Sequence, residues 1–80
     1  MRDLLLTSFG TRCKALRNGL GMSQEAFANS IGMDRSYYAS IETGMRNVTL
    51  SSIGKIAEGF KVSISFLLEG VEGNSETIVH

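Results

Sequence analysis

Residues 22–44 read MSQEAFANSIGMDRSYYASIETG and contain two short runs with helical periodicity. Apolar residues recur at helical spacing within residues 27–31, the pattern stops at Gly32, and it resumes within residues 38–41. A basic residue, Arg35, opens the second run. The stretch therefore predicts two short amphipathic helices joined by a glycine-containing turn.

Such a pair of helices is the layout of a helix-turn-helix motif, whose second helix is presented to the major groove of DNA. Ser23 and Asp34 stand at the expected N-cap positions, where a side-chain oxygen accepts an unpaired backbone N–H. Gly44 suits the left-handed position that ends the second of these helices. Because helices this short are marginal on their own, they need neighbouring elements to bury their apolar faces.

Helical patterns on both sides of the motif supply those elements. A first helix is expected from about Leu4 to Asn18. Thr49 and Ser63 are expected to cap a fourth and a fifth helix. The residues expected to face the core are Leu5, Phe9, Cys13, Leu16 and Leu20 in the first helix and Leu50, Ile53, Ile56, Ala57 and Phe60 in the fourth. The fifth, short helix contains Ile64, Leu67 and Leu68, of which Leu67 is expected to fill the core. The sequence thus predicts an all-α domain of five helices over residues 1–70, with the helix-turn-helix in helices 2 and 3. Residues 71–80 are expected to be a C-terminal tail, either mobile or folded on a partner subunit.

The chain of 80 residues has an ordinary globular composition, 42% hydrophobic and 20% charged. A chain of this length buries only about 60% of the surface that it exposes when unfolded, so dimerisation would add stability. A single cysteine, Cys13, excludes an internal disulfide. Cys13 and His80 alone are too few ligands for a zinc site. We expect Cys13 to be a small core residue, and we expect no metal and no cofactor.

The formal net charge of zero argues against nucleic-acid binding, but the charges are unevenly distributed. Residues 12–46 carry five basic and three acidic side chains, whereas residues 47–80 carry two basic and four acidic ones. A protein with this distribution can offer one face to phosphates, although its non-specific affinity for DNA should be low and salt-sensitive.

The N-terminal residues, MRDLLLTSF, contain an apolar triplet but no sustained apolar stretch. Neither a signal peptide nor a membrane span is expected, and a cytoplasmic location follows. The sequence has no histidine except at its terminus, no phosphate-binding glycine loop and no metal-ligand cluster, which argues against an enzyme.

Motifs along residues 9–70 resemble one known family. They are Arg17, Gly21, Ser23-Gln24-Glu25, Phe27-Ala28, Gly32, the Ser40-x-Glu42-x-Gly44 stretch, Leu50, Ile56-Ala57, Val62-Ser63 and Leu67-Leu68. Together they resemble the Cro and cI type (XRE-like) helix-turn-helix family of bacterial and phage repressors. Within it, residues 34–40, Glu42 and residues 46–49 look most like the controller proteins of restriction-modification systems. Two residues depart from the family pattern, because Tyr38 stands where Ile or Val is usual and Phe27 where Leu is common.

This resemblance implies a phage-repressor-like fold and a small homodimer without an effector domain. Such a dimer binds a roughly palindromic operator of double-stranded DNA and controls its own operon. An antitoxin coupled to a toxin partner and a phage repressor are the alternative functions.

The residues expected to read bases share one side of the third helix, opposite Tyr38 and Ile41. They are Arg35, Ser36, Ala39 and Ser40. Arg35 is the long donor among them, and its guanidinium matches the O6 and N7 acceptors of guanine. The alternative for Arg35 is a surface charge paired with Asp34 or Glu42.

A second group is expected to contact the DNA backbone. Ser23 and Gln24 open the second helix, whose free amides and dipole favour a phosphate. The resemblance adds Tyr37, Thr43, Arg46 and Asn47 as phosphate contacts. It also implies a structural salt bridge between Arg17 and Glu42, and Arg17 is an additional candidate for a phosphate contact.

Partner contacts are expected elsewhere on the chain. The nearly all-apolar fifth helix leaves Ile64, Phe66 and Leu68 for a dimer interface. Glu25 has two readings, because the resemblance implies a contact with the sigma subunit of RNA polymerase, while an acid in a first helical turn also complements the helix dipole. Gly54 is either a tolerated weak position or a point of close approach to another backbone.

Overall fold

The computed structural model describes residues 3–73, which form five α-helices and no strand. The helices are α1 (Leu4–Gly19), α2 (Gln24–Ser30), α3 (Arg35–Glu42), α4 (Leu50–Phe60) and α5 (Ile64–Leu67). This arrangement confirms the predicted all-α fold, with α2 and α3 as the helix-turn-helix.

Every helix begins at a residue whose side chain accepts a backbone N–H from the first turn. These N-caps are Asp3, Ser23, Asp34, Thr49 and Ser63. The sequence predicted all of them except Asp3. Each such cap is worth about 1 kcal/mol, so the helix starts are encoded locally.

The turns that end α2 and α3 use glycines in the left-handed region. Gly32 has φ of 67° and Gly44 has φ of 78°. At Gly44 a Cβ atom would also lie 2.8 Å from the Cα of Thr7 on α1. The sharp end of α3 is therefore possible because Gly44 provides both the backbone angle and the space.

The core is centred on Phe27 of α2. Its ring stacks on Phe60 of α4, with centroids 4.2 Å apart, and lies tilted against Tyr38 of α3 at 5.1 Å. Cys13 is fully buried in the same cluster, as predicted. The two departures from the family pattern, Phe27 and Tyr38, therefore pack against each other, so that one large side chain fills the space beside the other.

α1 and α3 pack with unusually close backbones. A Cβ atom on Gly10 would lie 2.4 Å from the carbonyl oxygen of Ile41 and 2.5 Å from that of Glu42. Only glycine fits there, since any side chain would push α3 away from α1. The position of the second helix of the motif is thus fixed by α1.

Three residues predicted to face the core are instead exposed. Leu5 is 50%, Leu20 53% and Leu50 73% accessible to solvent. Each lies at a helix terminus: Leu5 and Leu50 belong to the first turns of α1 and α4, and Leu20 is the C-cap of α1. Helical spacing places a residue on a face, but it does not show how far a neighbouring helix extends over that face.

The first residues of the predicted tail pack on α1. Val71 is partly buried against the core, the amide of Glu72 donates to Ser8 Oγ at 3.2 Å, and Gly73 lies beside Leu5. The remainder of the predicted tail, residues 74–80, lies outside the described residues.

Candidate nucleic-acid interface

α3 has an exposed side and a buried side, as its sequence predicted. Arg35 and Ser36 are exposed, whereas Tyr38 and Ile41 are almost completely buried. Within residues 3–73 the ion pairs join Arg12 to Glu69 and Arg17 to Glu42. The guanidinium of Arg35 is therefore not engaged by a carboxylate of that part of the chain, and the alternative of a surface ion pair finds no support there.

Ala39 and Ser40 are half-buried on the same helix. The Ser40 hydroxyl donates to the carbonyl oxygen of Tyr37 at 2.7 Å, so its remaining capacity is that of an acceptor. Ala39 offers only a methyl group, which suits contact with a thymine methyl.

The N-terminus of α2 is held by two side-chain interactions. Ser23 Oγ accepts from the amide of Ala26 at 3.0 Å. The Gln24 side-chain amide donates to Glu42 Oε1 at 2.9 Å. Because this nitrogen carries two hydrogens, fixing one of them on Glu42 leaves the other N–H free to donate to a phosphate.

A buried ion pair links α1 to the end of α3. Arg17 Nε lies 2.6 Å from Glu42 Oε2, and Arg17 Nη2 donates to Glu42 Oε1 at 2.9 Å. Arg17 Nη1 donates to the carbonyl oxygen of Met22, just before α2, at 2.8 Å. The pair implied by the family resemblance is therefore present. Arg17 is 8% accessible and three of its five N–H groups are engaged, so its role in this contact is structural, and its additional phosphate contact stays a prediction.

The pKa values reflect this pairing. Burial alone would raise the pKa of Glu42, but hydrogen bonding from Arg17 and Gln24 outweighs burial and holds the pKa below its ordinary value. The pKa of Arg17 is raised, chiefly by its hydrogen bond to Glu42. Both groups are thus charged at neutral pH. Within residues 3–73 the buried Tyr38 hydroxyl has no hydrogen-bond partner.

Tyr37 connects α3 to α4 and to the following loop. Its hydroxyl lies 3.2 Å from Ser52 Oγ, and the Arg46 guanidinium lies 5.2 Å from the centroid of its ring. This cation–π contact places Arg46 next to the exposed side of α3. Thr43, the C-cap of α3, and Asn47, in the loop that follows, are both exposed.

Glu25 is exposed in the first turn of α2, where both of its predicted roles remain open. Within residues 3–73 no group of three His, Cys, Asp or Glu side chains has the arrangement of a metal site. No helix in this part of the chain is long and apolar enough to cross a membrane.

Three interactions that position these residues escaped the sequence analysis. They are the close approach at Gly10, the Gln24–Glu42 hydrogen bond and the Tyr37–Ser52 contact. An isolated glycine within a helical pattern is a signal that would have pointed to Gly10. The other two join residues distant in sequence, and no local pattern marks them.

An exposed arginine near the start of the second helix of the motif, as Arg35 is in α3, is typical of a helix-turn-helix of the DNA-binding class. Residues 14–67 match the family model described as Helix-turn-helix, and the chain belongs to that family.

Its relatives include control proteins of restriction-modification systems. The chain is 45% identical over 73 residues to the control protein C.MunI of a Mycoplasma species, covering 90% of this chain and 97% of that protein. The crystal structure of the restriction-modification controller protein C.AhdI from Aeromonas hydrophila is 42% identical, with a TM-score of 0.75 over 78% of this chain and 94% of that one. The controller protein C.Esp1396I, solved as a tetramer with its natural 35 base-pair operator, is 33% identical, with a TM-score of 0.80 over 88% of this chain and 92% of that one.

Proposed function

We propose that this protein is a sequence-specific transcriptional regulator of the restriction-modification controller type, acting on operator DNA in the cytoplasm. The observation that carries the proposal is the exposed Arg35 on an α3 that Gly10 and the Arg17–Glu42 pair fix in place. The relatives reported above are control proteins, which favours a regulator of its own restriction-modification operon over an antitoxin or a phage repressor.

Arg35 is the principal base-reading residue of this proposal. Its guanidinium can donate two hydrogen bonds to one guanine, which discriminates against other bases by about 1–3 kcal/mol. Ser36, Ala39 and Ser40 complete the base-facing side. Because these three side chains are short, they shape the fit more than they select bases.

The backbone contacts come from both ends of the motif. Ser23 and Gln24 present the N-terminus of α2 to one phosphate, and residues of α3 and of the loop after it supply further donors. Those donors are Tyr37, Thr43, Arg46 and Asn47. Phosphate contacts of this kind set register and orientation but carry no sequence information directly.

α5 supplies the dimer interface of this proposal. Ile64 is 41% and Phe66 45% accessible, while Leu68 is partly buried. A second copy seated on these apolar side chains would remove them from water. In such a dimer the two α3 helices should lie about 34–36 Å apart, which is one turn of DNA and matches a two-fold operator.

Two arginine variants test the DNA contacts. Arg35→Ala should cost about 1–3 kcal/mol per half-site on the selected operator and abolish the preference for one guanine. Arg46→Ala should weaken binding to all sequences evenly and reduce the salt dependence by about one phosphate contact. Lys55→Ala, on the exposed side of α4, is the charge-matched control.

Fluorescence anisotropy on operator and random duplexes, at several salt concentrations, measures all three variants. An Arg35→Ala protein that retained its full preference for the operator over random DNA would refute the assignment of Arg35.

Glu25 is proposed as a contact for the sigma subunit of RNA polymerase. Glu25→Gln keeps the shape and removes the charge, so operator affinity should stay equal or rise slightly while transcription from an activated promoter falls. The competing role, helix-dipole compensation, is worth about 0.3–1 kcal/mol of stability. Equal activation by the variant at saturating operator occupancy would leave only that role.

A further inference from the structure

Arg12 of α1 makes a set of contacts with the end of α5 that the DNA-binding function does not use. Its Nη2 donates to the carbonyl oxygen of Phe66 at 2.7 Å and its Nε to that of Leu67 at 3.2 Å. The guanidinium also lies 4.7 Å from the centroid of the Phe66 ring, and Glu69 Oε1 is 3.9 Å from Nη2. One side chain thus reaches the backbone and the exposed ring of the same residue.

These contacts compensate for a weakness of α5. The helix has four residues, and a single turn is marginal in water without tertiary support. The last carbonyl groups of a helix lack their usual partners within the helix. Arg12 donates to two of them, that of Leu67 and that of Phe66, which also accepts from the amide of Glu69 at 3.1 Å. The planar guanidinium, with its fork of donors, suits two adjacent carbonyl groups in a way that the ammonium of a lysine does not.

The Phe66 ring is held in a conformation that leaves it available to a partner. The guanidinium covers one part of the ring, yet the residue remains 45% accessible. A side chain that is already ordered loses less conformational entropy on association than a freely rotating one. Aromatic anchors fixed in this way carry much of the energy of protein interfaces.

We infer that Arg12 is a positioning residue for self-association: it orders α5 and presents Phe66 to a second copy of this chain. The inference rests on the dimer proposed above. The occupant is a second copy because Ile64 and Phe66, two large exposed apolar side chains, lie on the helix already assigned to the dimer interface. The Arg12 side chain is 24% accessible and lies against α5, so it acts on self-association through the Phe66 ring that it contacts.

Sedimentation equilibrium of the full chain tests this inference through the dissociation constant of the dimer. Arg12→Ala should raise that constant at least tenfold. Arg12→Lys should raise it nearly as much, because lysine keeps the charge but loses the fork. Lys14→Ala removes an exposed positive charge two residues along the same helix and should leave the constant unchanged.

A double-mutant cycle with Phe66→Leu separates positioning from general stability. If Arg12 acts through the aromatic ring, Arg12→Ala should have a clearly smaller effect on dimerisation in the Phe66→Leu background. Urea unfolding at monomeric concentrations reports whether each variant is folded. If Arg12→Ala is unfolded, Arg12→Lys replaces it in the comparison.

The outcomes are distinguishable. A wild-type protein that stays monomeric at tens of micromolar overturns both the dimer and the role of Arg12. A wild-type dimer whose dissociation constant changes less than twofold in the folded Arg12 variants overturns the role of Arg12 alone. An equal effect of Arg12→Ala in both Phe66 backgrounds overturns the presentation of Phe66.

Discussion

The buried ion pair between Arg17 and Glu42 gives a prediction in which charge and packing can be told apart. Arg17→Met keeps an unbranched side chain of similar length but removes the positive charge. It leaves the Glu42 carboxylate, 7% accessible, without its main partner. Removing one member of a buried ion pair costs about 3–5 kcal/mol, because the remaining charge is uncompensated.

That loss is large for this protein. A domain of 80 residues is typically stable by about 4–12 kcal/mol. For domains of this size, 1 kcal/mol shifts the melting temperature by about 4–8 °C. We therefore expect Arg17→Met to melt at least about 12 °C below the wild type at pH 7.

The pH dependence of stability should also change. In the wild type the pKa of Glu42 lies below its ordinary value of 4.5, so its contribution is complete above that pH and is lost as the pH falls through the lowered pKa. In Arg17→Met, burial instead favours the protonated acid and raises the pKa of Glu42. Lowering the pH therefore removes the buried charge from the variant and destabilises the wild type, so the difference between their free energies of unfolding should narrow.

Urea unfolding followed by circular dichroism, between pH 7 and pH 4, measures these free energies. Adding Glu42→Gln to Arg17→Met removes the buried charge and retains an acceptor for Gln24, so more than half of the lost stability should return. Lys14→Met, exposed on α1, is the matched control and should change little. A double variant that regains no stability, with a difference between wild type and Arg17→Met that does not change with pH, would show that an uncompensated Glu42 charge is not the cause of the loss.

Three further predictions concern the core and the helix backbones. Gly10→Ala should destabilise by about 1–3 kcal/mol or more in chemical denaturation, because its Cβ would lie 2.5 Å from the Glu42 carbonyl oxygen. Gly54→Ala is the matched change in α4, where no atom of another described element lies within 4 Å of the added Cβ, so it should stabilise the fold by about 1 kcal/mol. A weaker dimer of this variant in sedimentation would instead support a close approach of two backbones across the dimer axis. Burial raises the pKa of the Cys13 thiol to about 12. At pH 8 an aromatic disulfide reagent should therefore label Cys13 only as fast as the protein unfolds. Rapid labelling of the folded protein would contradict the buried position.

The helix-turn-helix was predictable from the sequence because its signals are local. The caps Ser23, Asp34, Thr49 and Ser63 act within three residues of their own position, and the structure confirms each of them. The two sides of α3 follow in the same way from helical periodicity.

What was not predictable depends on the packing of distant elements. Leu50 has the spacing of a core residue, but within residues 3–73 no neighbouring element covers its side chain. Arg12 and Arg17 are both arginines of α1, and no local pattern shows that one holds α5 and the other Glu42. The family resemblance gave the second of these pairings, because it carries information about a fold and not only about one helix.

α1 touches both functional regions of the molecule. Gly10 and Arg17 fix it against α3, and Arg12 fixes it against α5. This helix of 16 residues, about 24 Å long, therefore sets the distance between the proposed DNA-binding surface and the proposed dimer surface. When an operator carries one extra base pair between its half-sites, one site moves by about 3.4 Å and turns by about 34–36°. If α1 keeps that distance fixed, the DNA must bend or twist to fit, and the cost of doing so depends on its sequence. In the proposed dimer, the base pairs between the half-sites should therefore contribute to operator choice through the cost of deforming them.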